Sequence, residues 1–165
     1  MRKRILVVDD VPDWRATLES ILKTECEVVT VNGFEPAMEL VKNREVDLVI
    51  VDLRLSPTDE NNRDGMKLLE KLMEHRINAI VLTGYPEQAL REEAVDKYKA
   101  FAFIDKDALA SNFQRIRDIV REAFGLLENV EKAKAKAIRA ASALQSVYFP
   151  DELSSWPLRK FRKDT

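Results

Sequence analysis

The chain of 165 residues has one cysteine, one histidine and four glycines. A single thiol, Cys26, excludes an intramolecular disulfide; it reads as a small, partly buried hydrophobe in a reduced setting. His75, the lone histidine, has no metal-ligand companion and reads as a surface residue near the end of a helix. The glycines, at 33, 65, 84 and 125, cannot form G-x-G-x-x-G, so a dinucleotide fingerprint is excluded. No apolar run approaches the roughly 18 residues of a membrane span, and "MRKRILVVDD" lacks the apolar stretch and cleavage site of a secretory signal, so a cytoplasmic location is expected. Charge of one sign is also missing. With 27 basic and 29 acidic side chains the formal net charge is -2, which implies neither nucleic acid nor an anionic membrane surface as a partner.

What is present is enough apolar material, 45% of the chain, for one ordinary globular core. Short apolar runs recur at regular distances: "ILVV" (5–8), "CEVVTV" (26–31), "LVIV" (48–51), "AIVL" (79–82) and "FAFI" (101–104). Three are continuous rather than alternating, as strands covered on both faces should be. Helical spacing lies between them. Trp14, Leu18, Ile21 and Leu22 form one stripe behind Pro12, which suits a first helical position. Phe34, Ala37, Met38 and Val41 form a second, and Leu68, Leu69, Leu72 and Met73 a third, with Asp64 as its expected N-cap. A weaker fourth helix follows Pro86, and a fifth begins near Asp107. Successive β-then-α units require right-handed crossovers, hence a parallel, doubly wound α/β sheet of five strands.

In such sheets the ligand site lies outside the carboxyl ends of the strands. There the sequence sets Asp9 and Asp10, then Asp52, then Thr83, then Asp105 and Lys106. Adjacent carboxylates raise one another's pKa unless a cation or solvent offsets the repulsion. Three of them at one rim call for a hard divalent cation, and an oxygen-only set with few protein ligands suits Mg²⁺. A hydroxyl and an ammonium from the last two strands can bind the oxygens of a phosphoryl group. The set describes phosphoryl chemistry on a carboxylate.

The motifs "LVVDD", "LVIVDLRL", "DGMKLL", "IVLTGY" and "FAFIDK", in this order at strand ends, resemble the receiver domain of two-component response regulators over residues 1–124. The resemblance implies a CheY-like, flavodoxin-like fold of strand order 2-1-3-4-5. It implies Asp52 as phosphoacceptor, with Asp9, Asp10, Asp52 and the Arg54 backbone carbonyl as ligands of Mg²⁺. Thr83 then matches the hydroxyl that moves toward the phosphoryl group, Lys106 the ammonium that pairs with it, and Phe103 the switch aromatic. The implied donor is a phosphohistidine on a sensor histidine kinase or phosphotransfer protein. Turnover is confined to phosphorylation and dephosphorylation of Asp52. Two departures stand out: Asp107 follows Lys106 where the family commonly has proline, and "SPTDENNRD" (56–64) is several residues longer than usual before Gly65. That segment reads as a surface insertion or a lid.

From Leu109 a 4-3 pattern runs through Phe113, Ile116, Val120, Ala123, Leu127, Val130, Lys134, Ala137, Ala141, Leu144 and Tyr148. It predicts one extended C-terminal helix over 107–146, roughly 60 Å long, and a parallel coiled-coil homodimer through residues 109–148. The expected division is a receiver over 1–124, a helical extension over 125–148 and a tail, or the start of a missing effector, over 149–165. "AIRAASALQSVYFPDELSSWP" resembles the linker before PP2C-type regulatory phosphatase domains, and the basic cluster Arg159, Lys160, Arg162 and Lys163 reads as a solvated terminus. Two other functions compete. A haloacid dehalogenase-type phosphohydrolase places a second acid two residues after its nucleophile, where this chain has Arg54. A receiver-like scaffold that takes no phosphate is the other, and the complete acidic set argues against it.

Overall fold

The computed structural model of the chain describes residues 2–148, with side chains through residue 144. Strands β1 (Arg4–Val8), β2 (Glu27–Val31), β3 (Leu48–Val51), β4 (Asn78–Thr83) and β5 (Ala102–Asp105) form one parallel sheet in the order β2-β1-β3-β4-β5. Between them run α1 (Pro12–Leu22), α2 (Phe34–Lys42), α3 (Asp64–Glu74) and α4 (Gln88–Glu92), and α5 (Lys106–Ser111) and α6 (Gln114–Tyr148) follow the last strand. This is the flavodoxin-like, doubly wound order.

The order accounts for the apolar pattern of the strands. Interior β3 is buried along its whole length, as are β1 from Ile5 onward and β4 from Ala79 onward. The edge strands β2 and β5 are only half-buried, which is why their sequences alternate more. On one face, Leu6, Val8, Val49 and Val51 join Val41 and Leu69 in a single apolar cluster. Successive strand residues point to opposite faces, so Ile5, Val7, Leu48 and Ile50 belong to the other. Cys26, at the entry to β2, is 4% exposed, and burial pushes its thiol pKa up.

Two expected helix boundaries are corrected. Asp64 does not cap α3 but opens it, with Arg63 before it making no side-chain cap. The amide of Asn62 takes that role: its Oδ1 accepts from Asp64 N at 3.1 Å and from Leu55 N at 2.9 Å. Nor does one helix run from Asp107. α5 ends at Ser111, Asn112 is extended (φ -158°, ψ 88°), and its Oδ1 accepts from Gln114 N at 3.2 Å to start α6. Asparagine competes in this way because its short side chain reaches nearby backbone donors. α4 is also brief and passes into a π turn, Glu93–Lys97, closed by Tyr98 N to Glu93 O at 3.1 Å.

The chain divides into two compact units between Ala123 and Phe124. In the first, Leu109, Ile116, Val120 and Ala123 are fully buried. Arg117 Nε donates to Ile21 O, and Arg121 pairs with Glu25. These seam positions are therefore already used by the domain's own core and are not available to a second copy, which corrects the N-terminal half of the expected dimer seam. In the second unit Leu126, Val130, Ile138 and Leu144 are 50–67% exposed. The basic cluster and the linker-like sequence after Tyr148 lie outside the described residues.

Gly65 ties the fold to the rim. Its N–H donates to Leu53 O at 3.1 Å, and a methyl group there would sit 2.6 Å from Leu53 O, 2.5 Å from Leu53 Cα and closer still to Asp52 O. The obstacle is backbone, which cannot rotate away. Alanine improves a helix by about 1 kcal/mol over glycine, but overpacking of this kind costs about 1–3 kcal/mol. Gly65→Ala is expected to destabilise the protein in chemical denaturation despite its better helix propensity.

Candidate functional site

The parallel register delivers the sequence-marked residues to one end of the sheet. Val8 is level with Val51, Val51 with Val81, and Thr83 with Asp105. The ladder continues one residue past the strands, with Asp9 N donating to Val31 O at 3.2 Å and Asp52 N to Val8 O at 3.0 Å. The two aspartates therefore leave the sheet from fixed backbone.

Lys106 joins them. Its Nζ lies 2.7 Å from Asp9 Oδ2 and 2.7 Å from Asp52 Oδ2, and all three residues are buried. Burial pulls the ammonium's pKa down, but the charge and hydrogen bond of Asp52, then those of Asp9, outweigh it and the pKa is raised. For Asp9 the balance goes the other way: burial dominates and raises its pKa, against the opposing pull of Lys106. Asp9 Oδ1 also accepts from Val11 N at 2.9 Å, and Asp9 O from Arg15 Nη1 at 2.7 Å.

Asp10 completes the cluster. Asp9, Asp10 and Asp52 each offer a carboxylate oxygen within 4.8 Å of the others. An open cleft of about 330 Å³ adjoins them, lined by Asp10, Asp52, Arg54, Ser56, Gly84 and Lys106. Arg54 N approaches Asp52 Oδ1 at 3.4 Å. Thr83 is fully buried, and its Oγ1 accepts from Tyr85 N at 3.2 Å. Phe103 is half-buried, with the Arg91 guanidinium 5.8 Å from its ring centre. Asp107 N donates to Asp105 Oδ1 at 2.9 Å, so the residue after Lys106 lies in the first turn of a helix capped by Asp105.

Three neighbours of the site carried no signal in the sequence. Trp14 lies in the apolar stripe of α1, yet its ring centre is 5.2 Å from Lys106 Nζ. Tyr85 lies under the Arg54 guanidinium, 4.0 Å from ring centre to Cζ. Arg15, half-buried on α1, reaches the Asp9 carbonyl. Only the spacing of Trp14 from Asp10 along the first helical turn could have hinted at its place.

Residues 5–121 match the model of the response regulator receiver domain, and the chain belongs to that family. Family membership ties it to phosphorylation-based, two-component signalling. Over 151 residues it is 30% identical to protein-glutamate methylesterase/protein-glutamine glutaminase 2 of Rhizobium johnstonii, covering 84% of this chain and 40% of that protein. It is 31% identical over 115 residues to the sensor histidine kinase TmoS of Ectopseudomonas mendocina, covering 66% of this chain and 12% of the kinase. The chain thus spans less than half the length of either relative. Among solved structures it resembles the response regulator TrrA of Thermotoga maritima in complex with Mg(2+)-BeF, with TM-score 0.60, 26% identity, and 73% and 98% of the two chains covered. It also resembles the N-terminal domain of a response regulator/sensory box/GGDEF protein of Carboxydothermus hydrogenoformans, with TM-score 0.64, 26% identity, and 77% and 98% covered. No helix among the described residues is long and apolar enough to cross a membrane.

Removing Lys106 leaves two buried carboxylates without their cation, a loss of about 3–5 kcal/mol for such pairs. Lys106→Met is expected to lose stability on this scale in the metal-free protein, with much of it regained in Lys106→Met/Asp52→Asn. Because the lysine's folded pKa is raised, its contribution is complete below the ordinary lysine value of about 10.4 and fades as pH climbs through the higher folded one. The gap in unfolding free energy between wild type and Lys106→Met should therefore narrow toward strongly alkaline pH.

Proposed function

We propose that the chain is a phosphorylation-dependent switch that accepts a phosphoryl group on Asp52 from a phosphohistidine of a sensor kinase or phosphotransfer protein. The observation that carries this reading is the Lys106 bridge, 2.7 Å from both Asp9 and Asp52, beside a cleft that also presents Asp10. Transfer of a phosphoryl group asks a protein mainly for position and offsetting charge. A carboxylate held by a buried ammonium next to an open cleft has both.

The three-carboxylate donor set fits a hard divalent ion. Asp9, Asp10, Asp52 and the Arg54 backbone carbonyl would hold Mg²⁺, which when bound supplies charge to offset the phosphoryl oxygens. The pairing of Mg²⁺ with a fluoroberyllate group in the Thermotoga relative supports that reading. In the transfer, an Asp52 oxygen attacks phosphorus in line and the bond from phosphorus to the donor nitrogen breaks. The nitrogen keeps the electron pair, and an acyl phosphate stands on Asp52. Lys106 then turns from its carboxylate bridge to a phosphoryl oxygen. Thr83 gives up the amide of Tyr85 to follow it, and Phe103 moves into the space left behind. That exchange is a local charge event biasing a packed, two-state element.

The receiver over 1–124 would pass this change to the extension over 125–148. Leu126, Val130, Ile138 and Leu144 are apolar, exposed and on one helix, so a second copy of the chain is the partner proposed for them. A PP2C-type effector remains the output that the linker-like sequence implies; none of its residues lies in this chain.

Incubation with acetyl phosphate and Mg²⁺ should add one phosphoryl group to the wild type and none to Asp52→Asn, read by intact mass. No labelling from any donor would instead favour a scaffold that takes no phosphate. Sedimentation should give a dimer for the full chain and a monomer for Val130→Glu/Ile138→Glu; a monomeric wild type would remove the coiled coil.

A further inference from the structure

The end of the sheet opposite the acidic rim has a cleft of its own, of about 180 Å³. It opens where β4 begins, between the end of α3 and the π turn Glu93–Lys97. Roughly 17 Å of extended strand separates it from Thr83. Leu69, Leu72, Met73, Ile77 and Tyr98 supply its apolar wall. Leu69 and Leu72 are buried whereas Met73 is 40% exposed, so the wall runs from the core out to the surface. Pockets that hold a cofactor or drug-sized ligand measure about 300–1,000 Å³. This cleft has room for one large side chain.

Two exposed cations, Arg76 and Lys99, line the same cleft. Neither has a carboxylate partner among the ion pairs of the described residues. Lys99 Nζ donates to Asp96 O at 2.7 Å, a carbonyl that leaves its charge intact, and Glu74, close to Arg76 along the chain, is taken by Lys71 at 3.3 Å. Both cations stand in left-handed backbone, with φ of 58° and 59°, where glycine would be relaxed. The helix dipole favours a positive charge at such a position. It does not account for an open apolar cleft between two of them. A third cation belongs to the same neighbourhood: Lys97 Nζ is 5.2 Å from the Tyr98 ring centre.

We propose that this cleft docks an acidic segment of a partner protein, which inserts one bulky apolar side chain against Leu72, Met73 and Tyr98 and sets its carboxylates on Arg76 and Lys99. The charge of the lips selects the sign of the segment, and the guanidinium can take a carboxylate with two parallel hydrogen bonds. The size of the cleft limits the anchor to a single residue, the arrangement in which a buried aromatic carries most of an interface's energy and a charged rim orients it. A bilayer surface is a poorer match, because it is entered by apolar groups that protrude and offers nothing to fill a concavity. The surface lies at the far end of β4 from the phosphoacceptor cleft, so both can be occupied at once.

The probe is a blocked peptide, Asp-Glu-Phe-Asp-Glu, titrated into the full chain labelled with ¹⁵N. The backbone amide resonances of Arg76, Ile77 and Lys99 should shift and saturate. The same peptide with alanine in place of phenylalanine should bind about tenfold more weakly or worse, having lost its buried ring. Lys-Lys-Phe-Lys-Lys should leave these resonances where they are. Arg76→Gln/Lys99→Gln, which keeps long side chains in the left-handed positions, should bind the acidic peptide about fivefold more weakly while unfolding at the wild-type denaturant midpoint. Raising the salt to 0.5 M should weaken wild-type binding in the same direction. No saturable shift at these amides, equal binding of the alanine or lysine peptide, or an unaffected double variant would overturn the proposal. So would co-sedimentation of the wild type with phosphatidylserine vesicles in the absence of peptide binding, which would assign the cations to a lipid surface.

Discussion

One ammonium holding two carboxylates at the end of a parallel sheet is the interaction on which the rest of this structure depends. Lys106 Nζ lies 2.7 Å from Asp9 and from Asp52, with little solvent at any of the three. Ions so placed cost several kcal/mol each in lost hydration, and a close pair regains that only when its geometry is good. Hydrophobic residues of similar volume would hold this rim together as well or better. The cluster therefore makes more sense as a store of reactivity than as a source of stability: one cation restrains two acids and can be drawn to a third anion. The raised pKa of Asp9 reports the same imbalance, because its burial is not fully offset by the shared lysine.

The sheet supplies the precision. Parallel ladders carry Asp9 and Asp52 one hydrogen bond beyond their strands, so both are fixed by backbone before any side chain is considered. Gly65 lets α3 close onto the backbone of Asp52 and Leu53. Glycine is spent there, and scarce elsewhere. Arg44, Arg76 and Lys99 take the left-handed conformation after their helices, with φ of 54°, 58° and 59°, a strained choice for residues with a Cβ. A basic side chain at a helix C-terminus does at least favour the dipole there.

The terminal helix shows one sequence pattern serving two purposes. Its repeat runs from Leu109 past Leu144 with Lys134 as the one charged position, but Ile116, Val120 and Ala123 fill the domain's own core whereas Val130 and Leu144, and with them Leu126 and Ile138 beside the repeat, are open to solvent. Periodicity says that a helix has an apolar face, not what covers that face. The break at Asn112 was equally hidden, since a 4-3 count passes over a single extended residue.

Period and position along the chain were enough to determine the strands, their parallel pairing, and the carboxylates and lysine at their carboxyl ends, because burial on two faces demands unbroken apolar runs and each run ends where its polar residues begin. The tertiary structure alone decided which groups touch. Trp14 over Lys106, Tyr85 beneath Arg54, and Asn62 in place of Asp64 as a cap are contacts between segments far apart or of unremarkable local sequence. Such contacts follow from how loops of particular length fold back over the rim, and a distance in space between two loops has no period for a sequence to display.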